Sequence, residues 1–178
     1  MSLPLRSLAN GLTIARAVAG LPLILALQAD AAALAWWLLL MAGLSDAADG
    51  WLARRAGGGS SWGARLDPLT DKVLIAAPLL WLAAAGTLPL WAVWLLLARE
   101  LLISGWRSQA GDGGPASLAG KAKTVLQFLA LLLMLWPPSW SGHQQLLVAG
   151  WWLFWPSLLL AISSAVAYIR PRSGPHQR

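Results

Sequence analysis

Four aspartates lie close together in the middle of the chain, between two long apolar stretches. The chain has only seven acidic residues, so Asp46, Asp49, Asp67 and Asp71 are more than half of them. A carboxylate next to hydrocarbon is costly and is expected to face a protein interior, a cavity or an ion. Four carboxylates at one depth also repel each other strongly unless cations neutralise them. The cluster therefore predicts a divalent-metal site at a membrane surface, which favours an enzyme or an ion-handling protein.

The spacing of these residues predicts two acidic helix faces. Asp46 and Asp49 are three residues apart, and Gly63, Asp67 and Asp71 follow each other at intervals of four. Side chains at such intervals lie on one face of a helix. Two opposed acidic faces can present oxygen ligands to one or two hard cations, and Mg²⁺ and Mn²⁺ prefer such ligands. The alternative is that the aspartates only solvate a loop or pair with nearby arginines.

The residues between the aspartates suit a ligand that carries phosphate. Arg54 can donate hydrogen bonds to phosphate oxygens. Gly50, Ala53 and Gly63 are small, so a bulky ligand can approach the backbone closely. Together with the acidic residues, they indicate a site that handles a phosphoanhydride.

Composition predicts a membrane protein built from helices. Of 178 residues, 58% are hydrophobic and 11% are charged, with a mean hydropathy of +0.62, whereas a soluble domain carries about 25% charged residues. One span takes about 20 apolar residues, and the apolar stretches are rich in Leu and Ala without the alternation of strands. We expect a single all-α domain over residues 1–178, with six transmembrane helices and no separate soluble domain. The predicted spans are residues 11–28, 32–52, 68–85, 88–106, 118–136 and 146–168, with a short leading segment 1–10 and a basic tail 170–178.

The distribution of charge predicts that the acidic cluster is cytoplasmic. With the N-terminus inside, all 13 Lys and Arg residues fall on or near one face of the six spans, as the positive-inside rule requires. Both termini and the aspartates are then on the cytoplasmic side of a cell inner membrane. The net charge of +6 is attributed to this topology and to anionic ligands rather than to nucleic acid. The 13 tryptophans fit an interfacial aromatic belt, and the lack of cysteine excludes disulfides and thiolate metal sites.

The spacing of the acidic stretch also matches a known signature. From Asp46 to Asp71 the chain reads D-x2-D-G-x2-A-R-x8-G-x3-D-x3-D. This pattern resembles, without departure, the signature of the CDP-alcohol phosphatidyltransferase family. Members of that family displace CMP from a CDP-linked donor, usually CDP-diacylglycerol, by the attack of an alcohol hydroxyl. With six spans and a cytoplasmic motif, the resemblance covers nearly the whole chain.

The resemblance implies a role for each residue of the motif. Asp46, Asp49 and Asp67 would hold a pair of divalent ions, Mg²⁺ or Mn²⁺, that bridges the diphosphate of the donor. Asp71 would be the general base toward the acceptor hydroxyl and would also be able to touch a metal. The resemblance further suggests a homodimer. The nucleotide site would comprise Gly50, Ala53, Arg54, Gly63, Asn10 and Thr13.

A looser resemblance concerns the acceptor. Residues 10–16, 98–107 and 120–124 look like the corresponding segments of bacterial family members that use sn-glycerol 3-phosphate. In the first of these segments, Asn10 and Thr13 could instead cap a helix. Glycerol 3-phosphate is a small dianion, which a membrane enzyme must hold with fixed cations. The candidates for this role are Arg99, Arg107, Lys121, Lys123 and Arg65.

Other interpretations stay open for these cations and for the acceptor. Lys121, Arg170 and Arg172 are better explained as anchors to anionic lipid, whereas Arg99 and Arg16 lie within apolar stretches and need buried partners.

Phosphatidylglycerol, an inositol phosphate and serine are alternative acceptors. A small metal transporter is the non-enzymatic alternative, but it predicts carboxylates near mid-membrane on broken helices. No role in the site is assigned to His143, His176, Asp30 or Asp112.

Overall fold

The chain is helical throughout the parts that the structure describes. The structure, a computed structural model, describes residues 18–55, 63–109 and 118–169, with side chains over 18–45, 72–105 and 122–166. Within these ranges the helices are joined by short turns, and no strand is present. The helices are α1 (Val18–Gln28 within the described residues), α2 (Ala32–Arg55), α3 (Gly63–Ala84), α4 (Leu90–Gln109), α5 (Leu118–Met134) and α6 (His143–Ile169).

These helices confirm the predicted all-α fold, and α2 and α4–α6 follow the predicted segments closely. The largest difference is in α3, which begins at Gly63 rather than at residue 68. Pro68 therefore lies in the second turn of α3, where the hydrogen bond from position 68 to the carbonyl of residue 64 cannot form. Gly63 and Asp71 therefore lie on one continuous helix, as their spacing predicts. The predicted start of the first helix, at residue 11, lies outside the described residues.

Helix length and composition support a membrane span in one place. Among the described residues, only α6, over His143–Val166, is both long and apolar enough to cross a membrane by these criteria. Large apolar side chains also face outward elsewhere: Leu21 on α1 is 62% exposed and Trp94 on α4 is 67% exposed. The count of six spans is a prediction that helix length does not confirm. The shorter apolar helices are Val18–Gln28, Ala32–Ser45, Lys72–Ala84 and Ala122–Met134.

The α5–α6 pair is the scaffold of the bundle. Gly150 on α6 lets the two helices approach closely, because a Cβ at this position would lie 2.7 Å from the carbonyl oxygen of Ala130 and 2.8 Å from Cγ of Met134. Phe154 and Leu131 are fully buried beside this contact. α4 packs against α6, and α3 contacts both α4 and α5. The helices that follow the acidic stretch therefore share one core.

Close contacts also fix the two helices that carry the aspartates. Gly43, three residues before Asp46 on α2, faces the ring of Phe128 on α5, and a Cβ at Gly43 would lie 2.1 Å from Cζ of that ring. On α1, a Cβ at Gly20 would lie 3.3 Å from Cβ of Ala77 on α3. A side chain at Gly43 would force α2 away from α5. Because Gly43 has no side chain, α2 can pack closely against α5 just before the turn that carries Asp46 and Asp49.

A tryptophan cluster joins the start of α2 to the turn between α5 and α6. The ring of Trp36 lies 5.0 Å from Trp37, 5.3 Å from Trp136 and 5.2 Å from Trp140, in edge-to-face arrangements that aromatic rings favour. Trp36 Nε1 also donates a hydrogen bond to the carbonyl of Leu132, over 2.9 Å. These tryptophans lie near segment ends, as an aromatic belt predicts, and they also pack on each other.

Candidate active site

All four predicted metal ligands lie within helices, two on α2 and two on α3. Because α2 and α3 are continuous there, positions 46 and 49 share one face of α2, and positions 67 and 71 share one face of α3. Among the described side chains, no group of three or more His, Cys, Asp or Glu could hold a metal. The side chains of the four aspartates are not among those described. The predicted site residues on these helices are Asp46, Asp49, Gly50, Ala53 and Arg54 on α2 and Gly63, Arg65, Asp67 and Asp71 on α3.

A second group of charged side chains lies between α4, α5 and α6. We call it the charge cluster; it comprises Arg99 and Glu100 of α4, Lys123 of α5 and Ser164 of α6. Arg99 Nη1 and Lys123 Nζ both donate to Glu100 Oε1, the first of them over 2.7 Å. Arg99 also donates from Nη2 to Ser164 Oγ, over 2.6 Å, and from Nε to the Ala161 carbonyl, over 2.8 Å. One network therefore joins three helices.

The side chains of the charge cluster are mostly buried, and the cluster holds more positive than negative charge. The side chains of Arg99, Glu100 and Lys123 are 10%, 14% and 8% exposed. Burying an ion costs several kcal/mol unless close partners and hydrogen bonds offset that cost. Here one carboxylate serves two cations, so the described side chains of the cluster carry one more positive than negative charge. Such a place favours a small anionic ligand, which supplies the missing negative charge.

Two of the five cations predicted to bind the acceptor phosphate meet in this cluster. They are Arg99 and Lys123, which share the carboxylate of Glu100. The hydrogen bonds described above use three of the five N–H groups that an arginine carries. Of the other three cations, Arg107 is on α4 and Arg65 on α3, while Lys121 is on α5, and their side chains are not among those described. The candidates Asn10, Thr13 and Arg16, the proposed lipid anchors Arg170 and Arg172, and Asp112 and His176, which have no assigned role, lie outside the described residues.

Glu100 and Ser164 are not among the residues that the sequence pattern predicts for the site. A signal existed for Glu100, because it is the chain's one glutamate and stands beside Arg99 in an apolar helix. Ser164 gave no signal, since a serine in such a helix commonly bonds a carbonyl of its own preceding turn. Ser164 does this with Ala161, over 2.9 Å, and its oxygen accepts from Arg99 as well.

His143 and Asp30, which have no assigned role, lie at or beside turns between helices. His143 Nδ1 donates to the carbonyl of Trp136, over 2.6 Å, in the turn beside the tryptophan cluster. Asp30 is exposed in the turn between α1 and α2, with a φ of 54°. Aspartate is one of the few residues with a side chain that tolerate this conformation.

The described parts of the chain form a helical bundle with buried charged side chains between α4, α5 and α6. The sequence model of the CDP-alcohol phosphatidyltransferase family matches residues 6–163 of the chain. The chain belongs to the CDP-alcohol phosphatidyltransferase family. It is therefore an enzyme, a transferase, from a family of integral membrane proteins. The predicted family, all-α membrane class and enzymatic nature are confirmed.

Curated relatives cover most of the chain. A probable phosphatidylglycerophosphate synthase of Mycobacterium tuberculosis is 36% identical over 171 residues, which are 92% of this chain and 80% of that protein. The CDP-diacylglycerol–glycerol-3-phosphate 3-phosphatidyltransferase of Rickettsia felis is 32% identical over 171 residues, or 93% of this chain and 94% of that protein. The CDP-diacylglycerol–glycerol-3-phosphate 3-phosphatidyltransferase 2 of Arabidopsis thaliana is 34% identical over 162 residues, which are 76% of this chain and 68% of that protein.

Replacing Ser164 with Ala should lower the midpoint of thermal unfolding of the purified protein in detergent. The change leaves Arg99 Nη2 without its acceptor, and an unmatched buried donor costs about 1–3 kcal/mol. For a chain of this size, each kcal/mol lowers the midpoint by about 2–4 °C. Ser163→Ala is the matched control, because Ser163 is exposed and bonds the Leu160 carbonyl of its own helix. Equal midpoints for the two variants would contradict a stabilising role for the Arg99–Ser164 bond.

Proposed function

We propose that this enzyme transfers the phosphatidyl group of CDP-diacylglycerol to sn-glycerol 3-phosphate, which gives phosphatidylglycerol phosphate and CMP. The names of the bacterial relatives support both substrates. The observation that carries the choice of acceptor is the buried pair of cations, Arg99 and Lys123, with a single carboxylate between them. A small dianion needs such fixed cations. A lipid acceptor such as phosphatidylglycerol has far less need of them.

The metal site proposed for this reaction comprises Asp46 and Asp49 of α2 with Asp67 of α3, and Asp71 of α3, the proposed base, can also touch a metal. The donor set fits Mg²⁺ or Mn²⁺, because it consists of hard carboxylate oxygens, and the helical spacing puts each pair on one helix face. When bound, two such ions neutralise the charge of the donor diphosphate and of the leaving CMP. The ligand assignment rests on the sequence motif and on the continuity of the two helices.

The protein's own part in the chemistry is to place the reactants and to accept a proton. Asp71 takes the proton of the acceptor hydroxyl as its oxygen forms a bond to the phosphorus of the phosphatidyl group. The bond from that phosphorus to the oxygen of CMP breaks, and CMP leaves. A carboxylate near cations is a weak base, so the contribution of Asp71 depends on its position against the hydroxyl.

The nucleotide of the donor is proposed to bind beside the acidic turn of α2. Gly50 and Ala53 leave the backbone of α2 open to a bulky ligand, as Gly63 does at the start of α3. Arg54 supplies hydrogen bonds to phosphate oxygens. The remaining residues proposed for this site are Asn10 and Thr13.

The proposed arrangement in the membrane follows the distribution of charge. All 13 cations lie on or near one face if the chain crosses six times. We therefore propose a single domain over residues 1–178 in the bacterial inner membrane, with both termini and the active site cytoplasmic. Resemblance to the family supports a homodimer. The proposed acceptor-phosphate residues are Arg99, Arg107, Lys121, Lys123 and Arg65.

The proposed reaction predicts CMP release with one acceptor. Purified protein would be given CDP-diacylglycerol and Mg²⁺, with sn-glycerol 3-phosphate, phosphatidylglycerol, an inositol phosphate and serine supplied one at a time. Release of CMP is expected with glycerol 3-phosphate, and excess chelator should abolish it. Turnover with another acceptor instead would contradict the acceptor assignment. Silence with every acceptor, from folded and metal-loaded protein, would contradict the proposed reaction itself.

Asp71→Asn should lower turnover by about 10²–10⁴-fold, which is the usual contribution of a general base. Asparagine has nearly the same size but cannot take up the proton, so the affinity for CDP-diacylglycerol should change little. Turnover is measured by CMP release and affinity by displacement of a labelled donor. Asp30→Asn makes the same chemical change at an exposed turn that asparagine tolerates, and it should be fully active. Near-normal turnover of the Asp71 variant would remove its assigned role.

A further inference from the structure

Glu100 is the member of the charge cluster that contacts both cations. Its Oε1 accepts hydrogen bonds from Arg99 Nη1 and from Lys123 Nζ. Arg99 is fixed independently of this carboxylate, because it also donates to Ser164 and to the Ala161 carbonyl on α6. Among the side chains that the structure describes, Glu100 is the partner of the Lys123 ammonium. Loss of Glu100 therefore acts first on Lys123.

The position of Lys123 depends on this carboxylate for two physical reasons. Two like charges repel each other, and the repulsion is stronger in a buried place than in water. Lysine also carries its charge on a flexible four-carbon stem, which can turn an unheld ammonium toward more polar surroundings. Without Glu100, the ammonium would move away from the guanidinium of Arg99. With Glu100 present, both cations meet on one oxygen and Lys123 is only 6% exposed.

We propose that Glu100 is a positioning residue of the acceptor site. It holds Lys123 beside Arg99, so that the phosphate of the acceptor meets two cations in a fixed arrangement. The inference rests on the proposed function, since it needs an acceptor that carries a phosphate. Glu100 acts through hydrogen bonds to the two cations and does not itself touch the substrate. Its carboxylate neutralises one of the two cations, and the other charge is left for the phosphate.

Steady-state kinetics of two variants test this role. Glu100→Ala removes the shared acceptor, so the KM for glycerol 3-phosphate should rise about tenfold or more, as the loss of one charge-assisted contact predicts. The KM for CDP-diacylglycerol and kcat should stay within about threefold of the wild type, because the lost interaction concerns acceptor binding. Glu100→Gln keeps an oxygen that can accept both bonds but lacks the negative charge, so it should recover part of the affinity. A Gln variant as impaired as the Ala variant would overturn positioning by hydrogen bonds, and so would equal changes in the two KM values.

A second measurement does not depend on the acceptor. The chain has two other lysines, Lys72 and Lys121, so labelling with an amine-reactive reagent can be read at each site by mass spectrometry. Labelling of Lys123 relative to Lys121 should be slow in the wild type and several-fold faster in Glu100→Ala, with Glu100→Gln between the two. Equal labelling in all three proteins would overturn the proposed role of Glu100. If labelling changes as expected but the wild type uses an acceptor without phosphate, the proposed function fails while the contact between Glu100 and Lys123 stands.

Discussion

The Glu100 carboxylate, shared between Arg99 and Lys123, is the contact on which the basic half of the molecule depends. These charges lie inside an otherwise apolar bundle, where an ion without a partner costs several kcal/mol. The hydrogen bonds from Arg99 to Ser164 and Ala161 extend the network to α6. Since α4 and α5 both pack on α6, the cost of burying these charges is offset only when the three helices keep their relative positions. The charges thus constrain the packing as much as the apolar core does.

This constraint separates the chain into two chemically different halves. The acidic positions 46, 49, 67 and 71 belong to α2 and α3, whereas the buried cations Arg99 and Lys123 belong to α4 and α5. α3 contacts both α4 and α5, so the halves are neighbours. The proposed reaction would use this division, because carboxylates would hold the metals at the donor diphosphate and cations would hold the anionic acceptor.

Much of the fold could be predicted because helices in this chain are marked by long apolar stretches and by charge at their ends. The predicted third span begins at residue 68, whereas α3 extends back to Gly63 and so carries Gly63, Asp67 and Asp71 on one helix, as their spacing predicts. The family and the acidic positions followed from a motif of fixed spacing. The contacts of Arg99 could not be predicted in this way, because the acceptors Ser164 and Ala161 are more than 60 residues away in sequence. Only the packing of the helices brings α6 to α4.

In the proposed site, aspartates from two different helices would hold the same metal ions. Binding of Mn²⁺ to the purified protein, followed by the loss of the electron paramagnetic resonance signal of the free ion, tests this directly and needs no turnover. Asp46→Asn on α2 and Asp67→Asn on α3 should each abolish tight binding, while Asp30→Asn at the exposed turn between α1 and α2 should bind like the wild type. Wild-type binding in either the Asp46 or the Asp67 variant would contradict a shared site.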